Sequence, residues 1–160
     1  MKHPQPLHYV LVAAIAIAWG SVTPAQNPVR TARVAASAGC PELGPIDAWA
    51  HRNLKEHIDN TVFCGDFDSD GRADAIAFVN HALGGNNQGH DVVLFRNVGG
   101  TLRFLRRVFP IAGEPNAAAF SPGKVMLDMT TMLPEDPRCC PSGRTRVVVN
   151  VASGTHNQSH

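Results

Sequence analysis

The stretch GDFDSDGRADAIAFV, residues 65–79, decides the fold prediction, because it joins an acidic loop to an apolar segment. Its aspartates have the spacing of a calcium loop. In such a loop the first, third, fifth, seventh and ninth residues turn oxygen atoms toward one point, and a glycine at the sixth allows the bend. The candidate ligands are the carboxylates of Asp66, Asp68, Asp70 and Asp74 and the main-chain carbonyl of Arg72. Ca²⁺ suits the loop because it takes about six to eight oxygen ligands. The alternative is an acidic turn without a metal, since Asp and Gly are common turn residues.

The residues on either side of the loop indicate strands rather than helices. TVFC at 61–64 and AIAFV at 75–79 are rich in β-branched and aromatic side chains. Ala77 stands where an EF-hand carries its last glutamate ligand. A DxDxDG loop between two strands resembles the FG-GAP and VCBS-type repeats of integrin-like propellers and many secreted bacterial proteins, and the resemblance implies a bound Ca²⁺. The sequence holds no second copy, which excludes a propeller built from such repeats.

The N-terminus has the pattern of a signal peptide over residues 1–25. Lys2 supplies a positive charge, an apolar core runs from Tyr9 to Trp19, and small residues end at Ala25. We therefore expect a periplasmic or secreted protein without a stable membrane anchor after cleavage. The alternative is an uncleaved anchor, although the apolar core is shorter than the roughly 20 residues that span a bilayer.

Composition bounds the partners and the domain organisation. The chain has 14 basic and 13 acidic residues, and loss of Lys2 balances the two sets, which argues against nucleic acid or a charged membrane surface as partner. An unknown protein or envelope ligand and a monomeric state are expected instead.

We predict a single α+β domain over residues 40–151, between a flexible arm at 26–39 and a disordered tail at 152–160, because both ends consist of small and polar residues.

Hydrophobic periodicity predicts an α+β fold, with one N-terminal helix packed on a mostly antiparallel sheet of about five to six strands. Apolar residues recur at helical spacing over residues 46–58, and His57 on this stripe is predicted to be a packing residue. Pro45 and Asp47 suit the helix start. The alternating or β-branched segments that follow predict strands at about 61–65, 74–80, 91–97, 101–109, 124–132 and 144–151. Short connections between them favour antiparallel pairing.

The cysteines of an exported chain are expected to form disulfides rather than a zinc site. They are Cys40, Cys64, Cys139 and Cys140. In one arrangement Cys40 pairs with Cys64, and the adjacent Cys139 and Cys140 pair with each other. In the crossed arrangement Cys40 and Cys64 each pair with one of these two adjacent cysteines. The vicinal cysteines could also form a redox or soft-metal site.

A second resemblance concerns residues 60–151. Here a DxDxDG loop, a hairpin and the segment LDMTTMLPEDPRCCPSGRTRVVV follow one another, as in small exported bacterial proteins with a DPxCCPS segment and no assigned activity. The resemblance implies export and fold. Ser69 stands where many such loops have glycine or Asn.

Catalytic chemistry has weaker support in the sequence. His51 and His57 are six residues apart, which does not bring both onto one metal on a helix. No G-x-S-x-G motif or phosphate-binding loop occurs. We therefore expect an exported, calcium-stabilised binding or structural module of the bacterial envelope, without catalysis. The alternative is a small periplasmic hydrolase that uses His81 and His90, at the ends of the loop ALGGNNQG.

Overall fold

A computed structural model of the protein describes residues 33–34, 39–85 and 87–159. The signal peptide predicted for residues 1–25 lies outside these residues, and so does most of the arm predicted for residues 26–39. No helix in the described ranges has the length and hydrophobicity needed to cross a membrane.

The described residues form one helix and two sheets. Helix α1 spans Gly44–Asn53. The first sheet has the order β1 (Arg33–Val34), β2 (His57–Gly65), β3 (Asp74–Gly84), β4 (Asn87–Val98) and β5 (Thr101–Arg107). The second sheet has the order β6 (Glu114–Ser121), β7 (Lys124–Thr131), β8 (Gly143–Asn150) and β9 (His156–Ser159). Strand β1 pairs with β2 in parallel, and every other pairing is antiparallel.

The two sheets enclose a common hydrophobic core. Ile76, Phe78 and Leu94 of the first sheet belong to the same buried cluster as Leu127 and Val147 of the second. The opposite face of the first sheet is covered by α1, whose Ile46 and Trp49 join a second cluster. Strand β3 is therefore buried on both faces, and a strand in that position has a continuous apolar sequence rather than an alternating one.

The prediction of one helix and a mostly antiparallel sheet is confirmed, but the number of strands is wrong. Apart from the two-residue β1, the described residues contain eight strands, and these divide between two sheets. Strand β6 was missing from the prediction because its sequence, EPNAAAFS, has no β-branched residue and contains a proline. Periodicity shows which face of a strand is buried, but it does not show whether a sheet or a helix covers it.

The helix is shorter than the predicted 46–58. Pro45 lies at the start, where its missing N–H costs no helical hydrogen bond. Leu54 is already extended (φ −124°, ψ 136°), and its N–H donates to the carbonyl of Ala50 at 2.8 Å. His57 lies outside the helix, but it is a partly buried packing residue as predicted, because its ring packs against that of His51 in α1 (centroids 5.1 Å apart). His57 begins β2 and pairs with His81, so main-chain pairing with β3 outweighs the helical periodicity of residues 54–58.

The C-terminal residues also differ from the predicted disordered tail at 152–160. A turn follows β8, in which the N–H of Asn150 donates to the carbonyl of Thr155 at 2.8 Å. Strand β9 then pairs with β8, with Gln158 opposite Val147. Main-chain hydrogen bonds to a neighbouring strand need no apolar side chains, so the polar sequence of β9 gave no signal.

The structure joins Cys40 to Cys64 and leaves Cys139 paired with Cys140, so the crossed arrangement is wrong. The first bridge ties the residues just before α1 to β2, with the two Cα atoms 5.4 Å apart. Cys64 lies in the cluster between the helix and the first sheet, and the bridge therefore holds α1 against that sheet.

Candidate metal centre

The acidic loop connects β2 to β3, and its two ends are fixed by the sheet. Asp66 directly follows β2, and Asp74 is the first residue of β3. Phe67 is fully buried in the core between the sheets, and its carbonyl accepts a hydrogen bond from the N–H of Gly123 at 2.7 Å. The side chain of Phe67 thus anchors a loop whose neighbouring carboxylates remain on the surface side.

The structure brings three of the four predicted carboxylates together. Asp66, Asp68 and Asp74 each offer an oxygen atom, and these oxygens lie within 4.8 Å of one another. Carboxylate oxygens at this spacing are the ligands that Ca²⁺ takes in proteins. The group can therefore hold a metal ion.

Asp66 organises the loop backbone. Its carboxylate accepts hydrogen bonds from the N–H groups of Asp68 (3.1 Å), Ser69 (2.6 Å) and Gly71 (2.8 Å). The bond from Gly71 makes the largest contribution to lowering the pKa of Asp66 below its ordinary value, because it stabilises the ionised form. The chain reaches this geometry by adopting positive φ at Ser69 (64°) and Gly71 (81°). Asp66 therefore stays ionised at a lower pH than an ordinary aspartate does.

Asp74 is the buried member of the group, with no exposed surface. Its two oxygens accept the N–H groups of Phe67 at 3.1 Å and Asn97 at 2.8 Å. Burial nevertheless raises the pKa of Asp74, and the negative charges of Asp68 and Asp70 act in the same direction. A buried carboxylate beside other carboxylates is costly to ionise, and a bound cation would remove much of that cost.

Asp68 links the loop to β4. One of its oxygens lies 2.9 Å from Nε of Arg96 in an ion pair, and the other accepts the N–H of Asp70 at 3.3 Å. Asp68 therefore has a protein cation as a partner, and a metal ion at this group would have to share its charge.

Asp70 lies outside the group that the structure brings together. Its carboxylate accepts the N–H of Arg72 at 2.8 Å and forms an ion pair with the guanidinium of the same residue at 3.1 Å. A cation two residues along the chain thus holds Asp70 in place. The roles of Asp70 and of the Arg72 carbonyl as metal ligands remain predictions.

Two residues of β4 complete the centre and were not found from the sequence. Arg96 pairs with Asp68, and Asn97 supports Asp74 through its N–H. The Asn97 side chain also donates to the carbonyl of Ala73 at 3.1 Å and accepts the N–H of Gly100 at 2.9 Å. The available signal was an asparagine two residues before the pair Gly99–Gly100, because Asn side chains at turns often hydrogen-bond to the main chain.

His81 and His90 do not converge. In the pairing of β3 with β4, His81 lies opposite Gly89 and His90 lies opposite Asn80. Side chains of adjacent strand residues point to opposite faces, so the two imidazoles lie on opposite sides of the sheet. His90 contacts the ring of Phe78 (centroids 5.3 Å apart), and its Nε2 lies 2.8 Å from the carbonyl oxygen of Ile111. One substrate atom cannot lie within hydrogen-bond distance of both rings.

The chain matches no protein-family model, no curated protein and no solved structure. The candidate metal centre and the core therefore carry the functional interpretation by themselves.

Proposed function

We propose that the protein is an exported, calcium-stabilised module that binds an envelope ligand or serves as a structural unit of the bacterial envelope. The observation that supports this proposal is the convergence of Asp66, Asp68 and Asp74 between two strands of a buried sheet. The signal-peptide pattern of residues 1–25 and the Cys40–Cys64 disulfide support export, because disulfides persist in oxidising compartments.

Calcium is favoured over other metals by the ligand chemistry. The group consists of carboxylates, whereas zinc sites in proteins use histidine or cysteine ligands for the most part. Magnesium requires a stricter octahedral geometry than an irregular loop provides. Ala77 replaces the bidentate glutamate of an EF-hand, so we expect an affinity in the weak extracellular range of about 10⁻⁴ to 10⁻³ M.

A structural or binding role fits this centre better than metal-dependent catalysis. Several carboxylates compensate most of the positive charge of a bound Ca²⁺, which makes it a weak Lewis acid. Its main effect would be to relieve the repulsion around the buried Asp74 and to hold β2 and β3 in register at the loop.

Thermal unfolding in EDTA and in excess calcium tests the proposal. At a calcium concentration of a hundred times the dissociation constant, the free energy of unfolding should rise by about 2.7 kcal/mol. Asp68→Asn should abolish most of this increment because it removes a charged member of the group. Identical melting temperatures in EDTA and calcium would contradict the proposal.

Asp70→Asn is the matched control. It makes the same chemical change two residues away, at a carboxylate that already pairs with Arg72. We expect Asp70→Asn to retain more of the calcium increment than Asp68→Asn. Equal losses in the two variants would show that Asp70 leaves Arg72 and joins the ligands when calcium binds.

A further inference from the structure

A groove of about 470 Å³ adjoins the candidate metal centre, and it is lined by an arginine whose Nε has no hydrogen-bond partner among the described residues. The groove runs between the two sheets, and Asp68 and Arg96 form its end nearest the acidic loop. Its wall includes Phe67, Leu105, Arg106 and Val151. It therefore combines positive charge with an apolar surface.

Arg106 is the unusual residue of this groove. Its Nε is buried and has no hydrogen-bond partner, although a guanidinium N–H is a strong donor. Leaving such a donor buried and unpaired costs about 1–3 kcal/mol, and more for a charged group. An unsatisfied charged donor on a residue that lines a groove is explained if the arginine turns toward an acceptor bound there.

The strand pairing concentrates further positive charge on the same face. Arg106 lies opposite Leu94, and Arg103 lies directly opposite Arg96. Like charges at directly opposed positions destabilise a sheet unless something compensates them. Asp68 compensates Arg96 through the 2.9 Å ion pair, whereas the structure shows no carboxylate paired with Arg103 or Arg106 within the described residues.

We propose that this groove binds an oxyanion between Arg96 and Arg106, and that the acidic loop controls its affinity through Asp68. The ligand is a sulfate-like anion or a carboxylate, since guanidinium groups bind both in bidentate geometry. The apolar wall formed by Phe67, Leu105 and Val151 suits a carboxylate on an aliphatic stem. The proposed control of anion affinity by Asp68 rests on the calcium-binding function proposed above.

Asp68 couples the two sites because it belongs to both. A divalent cation beside Asp68 shares the charge of this carboxylate and repels the guanidinium of Arg96, which weakens their ion pair. Arg96 then becomes available to an anion in the groove. By thermodynamic linkage, an anion that draws Arg96 away from Asp68 must strengthen calcium binding by the same factor.

Proton–nitrogen NMR of the purified chain tests the proposal, with sodium sulfate and sodium glutarate as probes. The Nε–H signal of Arg106 reports on the groove, and the amide signal of Gly71 reports on the acidic loop. We expect saturable shifts of the Arg106 signal. A response to sulfate alone identifies an inorganic oxyanion, and a tighter response to glutarate identifies a carboxylate ligand. No response to either probe overturns the proposal.

Arg106→Gln should weaken anion binding at least about tenfold, as expected when a charge-assisted hydrogen bond is lost. Because this variant lacks the Arg106 signal, binding to both variants is followed on the Nε–H signal of Arg96, which also lines the groove. Arg107→Gln is the matched control. Arg107 is on the same strand but lies over the ring of Trp49 on the opposite face, and its loss should leave anion affinity unchanged. Equal weakening in the two variants would show a general charge effect and reject the groove as the site.

The coupling is measured by repeating the titrations in EDTA and in calcium. We expect calcium to tighten anion binding by about fivefold or more, within the usual range of coupling between sites. If the anion affinity is the same in EDTA and in calcium although the Gly71 signal responds to calcium, Asp68 does not control anion binding. If the Gly71 signal ignores calcium, the calcium proposal fails, and the Arg106 response in EDTA still decides the anion site.

Discussion

Gly65, the last residue of β2, lies against the ring of Phe120 from β6. A methyl group added to Gly65 would overlap the side chain of Phe120 at several atoms. Gly65 thus permits the close approach of the two sheets beside the acidic loop.

Gly65→Ala should therefore destabilise the protein by about 1–3 kcal/mol, as overpacking of a core does. Urea denaturation measures the change. Gly44→Ala is the control, since a methyl group there meets no atom within 4 Å, and that position lies at the start of α1. Equal stability changes in the two variants would show that Phe120 moves aside without cost.

At the same scale, the sequence predicted the grouping of three carboxylates well, because their spacing within one short loop fixes where they lie. Asp66, Asp68 and Asp74 come together as that spacing requires. Asp70 departs from the pattern because Arg72, two residues further on, offers a cation at short range, and the spacing of the aspartates does not encode this competition. Arg96 and Asn97 could not be found from the sequence, because their contact with the loop depends on the register between β3 and β4.

At the scale of elements, the segment between β7 and β8 depends on one carboxylate. Asp136 accepts hydrogen bonds from the N–H groups of Leu133 (2.8 Å) and Ser142 (2.7 Å) and from the Ser142 hydroxyl (2.6 Å). These bonds, the hydroxyl bond first, hold the pKa of Asp136 below its ordinary value. Asp136 thus closes the loop that carries Cys139 and Cys140.

A carboxyl group with a lowered pKa stabilises the folded state at pH values above its unfolded-state pKa, and this contribution is lost as the pH falls through the folded-state value. Ser142→Ala should raise the pKa of Asp136 toward its ordinary value and shift this loss to higher pH. Carboxyl carbon NMR across an acid titration measures the pKa directly. Ser153→Ala, at an exposed serine in the turn after β8, should leave the Asp136 titration unchanged. An unaltered pKa in Ser142→Ala would contradict the role of the hydroxyl.

Element boundaries were less predictable than element types. The apolar stripe of residues 46–58 continued past the true end of α1, because periodicity cannot anticipate that β3 offers a pairing partner to residues from His57 onward. Strand β9 is the opposite case, in which pairing with β8 orders a polar segment. In both cases a neighbouring strand decides the structure, and the local sequence does not.

At the scale of the whole molecule, the two sheets share one core although no strand joins both. Leu127 of β7 has no exposed surface and lies in the same cluster as Phe78 of β3. On the far side of the first sheet, Trp49 of α1 is 5% exposed and packs edge-on against Phe95. A structural change at Leu127 can therefore affect Trp49 only through the first sheet, which lies between them.

Leu127→Ala should destabilise the protein by about 2–5 kcal/mol, because it leaves a cavity in the core between the sheets. If the sheets unfold as one unit, the unfolding midpoint reported by Trp49 fluorescence falls with that of circular dichroism, although Trp49 lies on the other side of the first sheet. The measurement uses the chain without the predicted signal peptide of residues 1–25, in which Trp49 is the only tryptophan. Met126→Ala removes the adjacent side chain of β7, which is 38% exposed on the outer face, and should change stability by only about 0.5 kcal/mol.

A Trp49 transition that stays fixed in Leu127→Ala, while circular dichroism shows an earlier step, would mean that the second sheet unfolds independently. Calcium at the acidic loop would then stabilise only the first sheet, since Asp66 and Asp74 adjoin its strands.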